Sequence, residues 1–505
     1  MIVVNEKEGK MRKGSAYIFT GNLLGKIIGL FREALLAAFF GTGIVAGAYR
    51  LAQSATLIPV DFFTADSLKS GFVPLYRRCI QENNNSERVM FWTYFFVLCV
   101  LSVLISLCLW FGASFYVGIL APNIDNYSSN IAISFIRIMA LGIPWYVLGI
   151  LFSYLGMGNE DYSVFALRSS IQSIGLILGT FLSFFLKTPV FLAWGFSAAY
   201  FLFFLWGLQK YNRLGLLKWP ENFTTYHVQQ SLKTIWKTIR PLLLLPFLLQ
   251  GYIAIERRIA SGMGLNVVAA LDYAKVVAET GTLLLAAPLA NVGLVNYGQI
   301  SNYDLKKRLY QLIPLVLIIS IPTSAFIGFN ASTIVEVLYA RGVFDLESIE
   351  LTSTILKGFS IGVWAHILSY IFLRSLSAKL RNTEVFLINS VSLFIGTLFI
   401  VVFARLMGPM VFGVGSSIYG ILLLAFSCYS LGVQNKTSFI LLWLFLGVIG
   451  YWVVCIYSPE IFSKWLSLLF DVGLFILYWV LFIFIVNPLR VEFFTISKIL
   501  LKDGK

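Results

Sequence analysis

Charge is what this sequence has least of. Only 12% of its 505 residues are charged, where a soluble domain carries about a quarter. That excludes a water-soluble globular protein. A content of 58% apolar and aromatic residues excludes a disordered one. The longest polar stretch lies around 209–240, so there is no room for a large soluble domain. Two histidines, His227 and His366, are too few for a His-based metal centre. The five cysteines (Cys79, Cys99, Cys108, Cys428 and Cys455) lack paired spacing and fall mostly inside apolar runs. They read as small core hydrophobes rather than disulfides or metal ligands. No Walker motif, GxSxG elbow or HExxH is present, so no enzyme and no resident cofactor is expected. Any work the chain does must then draw on an ion gradient or the membrane potential.

What the sequence does have is long apolar runs. A bilayer core takes about 20 apolar residues per helix. Short polar loops separate 14 candidate spans, near 15–40, 48–76, 89–120, 129–156, 161–186, 189–209, 236–261, 266–298, 308–329, 351–378, 383–405, 409–433, 437–457 and 465–488. No alternating strand pattern appears, so the fold expected is all-α and polytopic. The basic N-terminus is not followed by a short h-region and cleavage site, and the first helix is expected to be retained. Net charge is +14. Rather than marking nucleic acid as a partner, it follows membrane topology. With the N-terminus inside, inner segments hold 23 Lys and Arg, and outer segments hold 4, namely Lys187, Arg341, Arg405 and Lys464. Both ends are therefore expected in the cytoplasm. The long inner segment divides the chain into a six-helix lobe (1–209), a cytoplasmic linker (210–235), a second six-helix lobe (236–433), and two further helices with a tail (434–505). A shift of 224 residues places Tyr49 on Tyr273, Leu35 on Ile259 and Arg32–Glu33 on Glu256–Arg257. Two repeats in parallel suggest a transporter with a central cavity.

Some charges sit where lipid should exclude them. Lys26, Arg32, Arg50, Lys69, Arg137, Arg168, Arg257, Arg258 and Lys275 lie within or beside spans, as do Glu33, Asp61, Asp66, Glu256, Asp272 and Glu279. Each would cost roughly 2.5–3.5 kcal/mol facing lipid at mid-bilayer. Spacing groups them. Asp272, Lys275 and Glu279 stand at i, i+3 and i+7, one helix face. Lys26 and Glu33 are seven apart, with Arg32 beside them, and Asp61 and Lys69 are eight apart. Two readings follow: ion pairs that lock helices together, or a hydrated cavity lined by spans one, two, seven and eight. Clustering in equivalent spans of both halves favours the cavity. Its basic first half would hold an anion, and arginine grips phosphate oxygens two at a time. His366, beside Trp364, reads as a packing residue.

The stretches GKIIGLFREALLAAFFGTGIVAGAYRLAQ (25–53), DFFTADSLKSGFVPLYRR (61–78) and EVLYARGVFDLESIELTSTILKGFSIG (336–362) resemble the MurJ (MviN) lipid II flippases, within the multidrug/oligosaccharidyl-lipid/polysaccharide exporter superfamily. The resemblance implies a flippase of the bacterial cytoplasmic membrane that works by alternating access. Its cargo would be an undecaprenyl-diphosphate-linked saccharide, and glycan synthesis enzymes would be its partners. It places the family's first-span basic residues on Lys26 and Arg32, and the following acid on Glu33. It also places a cation-associated acid on Glu256, with Asn389 as a span-eleven partner and sodium or a proton as coupling ion. The chain departs from the pattern at Gly47, where the family has an acid, and at Val60 and Asp61, where it has a basic pair. Val276 stands in place of an arginine. These departures leave a related lipid-linked glycan as the alternative to lipid II. A cation-coupled drug exporter and a non-transporting scaffold for glycan synthesis are the rival readings.

Overall fold

The computed structural model describes residues 2–64, 66–82, 86–220, 225–240, 244–294, 301–457, 459 and 463–492. Among them the secondary structure is helical throughout. Two compact units divide the chain, 1–269 and 270–505.

The first unit holds α1 (Ile2–Phe40), α2 (Ile44–Thr64), α3 (Asp66–Glu82), α4 (Ser86–Leu120), α5 (Asn126–Gly158), α6 (Ser163–Phe185), α7 (Val190–Arg213), α8 (Thr225–Ile239) and α9 (Leu244–Met263), with the start of α10 (Leu265–Leu294). Helix ends leave backbone donors unsatisfied. At the start of α5 the Asp125 carboxylate caps them, accepting from the Ser128 N–H at 2.9 Å. Helix α5 is the centre of this unit and packs on α7, α4 and α2, while α1 packs on α6. Phe135, Phe152, Phe196 and Tyr200 fill the space between, all buried. Helix α9 belongs here as well. Phe247 meets Phe62 edge-on at 5.9 Å, Arg258 donates to the Ile119 carbonyl at 2.5 Å, and Ser261 donates to that of Leu120 at 2.5 Å.

The second unit holds the rest of α10 and α11 (Asn302–Phe329), α12 (Ala331–Tyr339), α13 (Leu346–Ser360), α14 (Val363–Ala378), α15 (Asn382–Met407), α16 (Met410–Leu431), α17 (Gln434–Ile456) and α18 (Lys464–Ile485). Helix α16 is its hub, packing on α13, α14 and α15. It stops at Gly432, whose φ of +66° is a left-handed conformation that L side chains resist. His366 is buried against Tyr419, with its Nε2 3.0 Å from the Ser416 carbonyl.

Nine described helices are long and apolar enough to cross a membrane, or ten if α13 and α14, bent by 46°, form one span. These ten correspond to expected spans three to six and nine to fourteen. The four expected spans outside that set coincide with α1, with α2 and α3, with α9 and with α10, the segments that carry most of the embedded charges. Phe111 and Leu406 are 78% and 80% exposed, an arrangement suited to hydrocarbon rather than water. The chain is a multi-pass helical membrane protein. The 210–235 segment contains helix as well as loop, because α7 runs on to Arg213 and α8 begins at Thr225.

Candidate functional site

The charged residues of the first unit fall into two groups. In the first, Glu33 is fully buried and both carboxylate oxygens are taken. Arg32 donates to Oε1 through Nε at 3.0 Å and through Nη2, and Arg50 on α2 pairs with Oε2. Arg50 also reaches Gln53, and Arg32 reaches Ser173 on α6 at 3.5 Å. One carboxylate thus serves two guanidinium groups and leaves the group a net positive charge. Arg32 retains 19% exposure. Lys26, two turns earlier on α1, is half-buried. The side chain of Asp66 lies outside the described residues.

The second group surrounds an open cavity of about 340 Å³, lined by Asp61, Thr64, Lys69, Tyr146, Ile150, Tyr154, Phe165, Arg168 and Gln250. Five helices supply it, α2, α3, α5, α6 and α9, three of them through residues at regular spacing. Asp61 and Thr64 are three apart on α2, Tyr146, Ile150 and Tyr154 are four apart on α5, and Phe165 and Arg168 are three apart on α6. The Tyr146 hydroxyl donates to Asp61 Oδ1 at 2.9 Å and accepts from Arg168 at 3.2 Å, and the guanidinium sits 5.4 Å from the Tyr146 ring centroid. Lys69 Nζ lies 5.1 Å from the Phe165 centroid. Two cations face one carboxylate, so this cavity is basic too. Arg50 and Asp61 are eleven residues apart on α2, about three turns and on one face, or roughly 16 Å in a straight helix. Tyr200, 4.6 Å from Tyr146 between ring centroids, lies within electrostatic range of Arg32 as well as of Asp61 and Arg168.

Of the residues expected from sequence, Asp61 and Lys69 meet in the cavity, while Arg32, Glu33 and Arg50 form the ion-pair group. On α9, Glu256 is fully buried and accepts from the Tyr252 hydroxyl at 2.9 Å, and Arg257 is buried, with Nη1 3.4 Å from the Val268 carbonyl. On α10, Asp272 and Lys275 are half-buried and Glu279 is exposed, while Leu271, Tyr273 and Ala274 are buried. Asn389, on α15, accepts from Tyr419 at 3.2 Å. Sequence reasoning left out Tyr146, Tyr154, Phe165 and Gln250, and it recorded Arg168 only as an embedded charge. The i, i+4, i+8 run of Tyr146, Ile150 and Tyr154 was the available signal. No group of three or more His, Cys, Asp or Glu among the described residues can hold a metal ion.

A helical membrane protein with a basic, partly aromatic cavity inside its helix bundle has the makings of a transporter for a polar, anionic cargo. The family model of the lipid II flippase MurJ matches residues 36–483. The chain belongs to that family. It is 24% identical over 364 residues to a probable lipid II flippase MurJ of Synechocystis sp., covering 68% of this chain and 67% of that one. Among solved structures it is similar to a lipid II flippase MurJ in an inward closed conformation, with a TM-score of 0.82, 18% identity, and coverage of 94% of this chain and 99% of that one. It is also similar in fold to an inward-facing multidrug resistance MATE family transporter of the MOP superfamily, with a TM-score of 0.64, 14% identity and coverage of 82% and 99%.

Proposed function

We propose that this chain is a flippase that moves lipid II, or a closely related undecaprenyl-diphosphate-linked saccharide, from the inner to the outer leaflet of the bacterial cytoplasmic membrane. Both termini stand in the cytoplasm, and two lobes alternate access to the cargo. The observation that carries the reading is the pair of guanidinium groups, Arg32 and Arg50, gathered on the one carboxylate of Glu33 in the first unit. In a medium of low dielectric a site of net positive charge attracts a diphosphate strongly. Arg32, with Lys26 on the same helix, is the diphosphate contact, and Glu33 holds Arg32 and Arg50 in place. Asp272, Lys275 and Glu279 line the second lobe's side of the pathway. Glu256 takes the coupling cation, sodium or a proton. Arg257 and Arg258 are the competing partners for that carboxylate.

A drug exporter of the same superfamily is disfavoured by the sign of the cavity, which repels cations. A scaffold without transport would tolerate neutralised cavity charges. The test is transfer of fluorescent lipid II across vesicle membranes by the full chain, compared with Arg32→Ala. Loss of on the order of tenfold or more in rate, with normal membrane insertion, is expected from removing a bidentate phosphate contact. Flipping by Arg32→Ala at the parent rate rejects the anion-binding reading.

A further inference from the structure

The cavity beside α2 is more than a basic hole. A diphosphate presents only hydrogen-bond acceptors, and a wall built for it alone would offer only donors. This wall carries a carboxylate, Asp61, in its midst. Asp61 Oδ1 receives one hydrogen bond, from Tyr146, while its Oδ2 receives none among the described residues. The carboxylate keeps most of its accepting capacity for a ligand. The chain of donors has a fixed sense, Arg168 to the Tyr146 oxygen and the Tyr146 hydroxyl to Asp61. The remaining guanidinium N–H groups are left for other acceptors. Gln250 adds an amide that both donates and accepts, and Phe165 and Tyr154 add aromatic walls.

We propose that this cavity is a saccharide subsite, and that Asp61 is the residue that selects a glycosylated lipid over bare undecaprenyl diphosphate. The inference rests on the flippase reading and assigns the cargo's sugar, rather than its diphosphate, to this wall. A hydroxyl or acetamido group donates and accepts at once, which matches a carboxylate, an amide and a guanidinium side by side. A pyranose ring also has apolar C–H faces that pack on aromatic rings. A volume of about 340 Å³ falls in the range of pockets for small molecules, about 300–1,000 Å³. Sites built on buried hydrogen bonds discriminate sharply against ligands that lack the matching group.

The experiment measures binding of the detergent-solubilised full chain to two probes, lipid II and undecaprenyl diphosphate without sugar. The parent should prefer the glycosylated lipid by about tenfold or more. Asp61→Asn keeps the size and the bond from Tyr146 but loses the charge, and it should narrow that preference by about fivefold. Tyr146→Phe, which removes the link to Arg168, should narrow it as well. Equal affinity of the parent for both probes, or an unchanged preference in Asp61→Asn, overturns the saccharide subsite while leaving the flippase reading intact. Failure of the parent to bind either probe, with helix content preserved by circular dichroism, overturns both.

Discussion

Glu33 shows how much a single carboxylate does in this environment. It is fully buried, and Arg32 and Arg50 take both its oxygens. Removing one member of such a group typically costs 3–5 kcal/mol, about as much as the remaining charge loses by being buried alone. Ion pairing accounts for Glu33, Arg32 and Arg50, while the cavity is lined from α2, α3, α5, α6 and α9. Glu33 and Arg50 tie α1 to α2, while Asp61 and Lys69 line the cavity. A second ion pair, outside the membrane-spanning segments, offers a pH test. Asp161, in the turn between α5 and α6, pairs with Lys210 at 2.6 Å and accepts from the Ser163 hydroxyl at 2.7 Å and its N–H at 3.1 Å. Burial raises its pKa, and the bonds from Lys210 and Ser163 outweigh that, holding it below the ordinary carboxylate value. A lowered folded-state pKa contributes stability above the unfolded value, about 4, that is lost as pH falls through the folded value. Asp161→Asn should therefore lower stability by about 1 kcal/mol at pH 7. The gap to the parent should narrow as pH falls below about 4 and close only below the folded-state value. Thermal unfolding in detergent followed from pH 7 down to about pH 2 checks this, and a gap that does not narrow with falling pH counts against the pairing.

Elements were legible to different degrees. Expected spans near 89–120, 129–156 and 409–433 fall within a few residues of α4, α5 and α16, because uninterrupted apolar runs need no partner to define them. The span expected over 351–378 is bent by 46° between Ser360 and Val363. Hydropathy registers length, not direction. Helix α8 went unread because its apolar residues, Leu232, Ile235 and Trp236, lie on one side of a helix that is otherwise polar. Gly47 is a position where packing decides. Here α2 runs against the first turn of α10, where a β-carbon on residue 47 would collide with the Leu265 carbonyl. Gly47→Ala should cost about 1–3 kcal/mol by overpacking. Gly118→Ala, on α4 with nothing near the added carbon, should be neutral or stabilise by about 0.5–1 kcal/mol. Melting temperatures of the two variants in detergent separate these outcomes, and equal behaviour would show that α2 does not approach α10 this closely.

At the scale of the whole molecule, transport in one direction needs an energy source, and the chain has no nucleotide-binding motif. The embedded acids are the groups able to link an ion gradient to movement. Glu256 is the strongest of them, fully buried on α9 with a hydroxyl, Tyr252, donating to it. A carboxylate in that setting must be neutralised by a proton, a metal cation or a basic neighbour. If a cation does so, the lobes have a device whose charge state changes with the gradient, and turnover should follow it. If Arg257 or another basic neighbour does so permanently, the residue is structural, and movement draws on the membrane potential through the cargo's own charge. The two arrangements differ in what Glu256→Gln does. Proteoliposomes holding lipid II are given an inward or outward gradient of sodium or of protons, and flipping is followed for parent and variant. Under the coupling reading the parent responds to one of the two gradients, and Glu256→Gln flips at a single low rate under all of them. Parent turnover that ignores both gradients, together with normal turnover by Glu256→Gln, assigns Glu256 to an ion pair and removes it from the energy-coupling path.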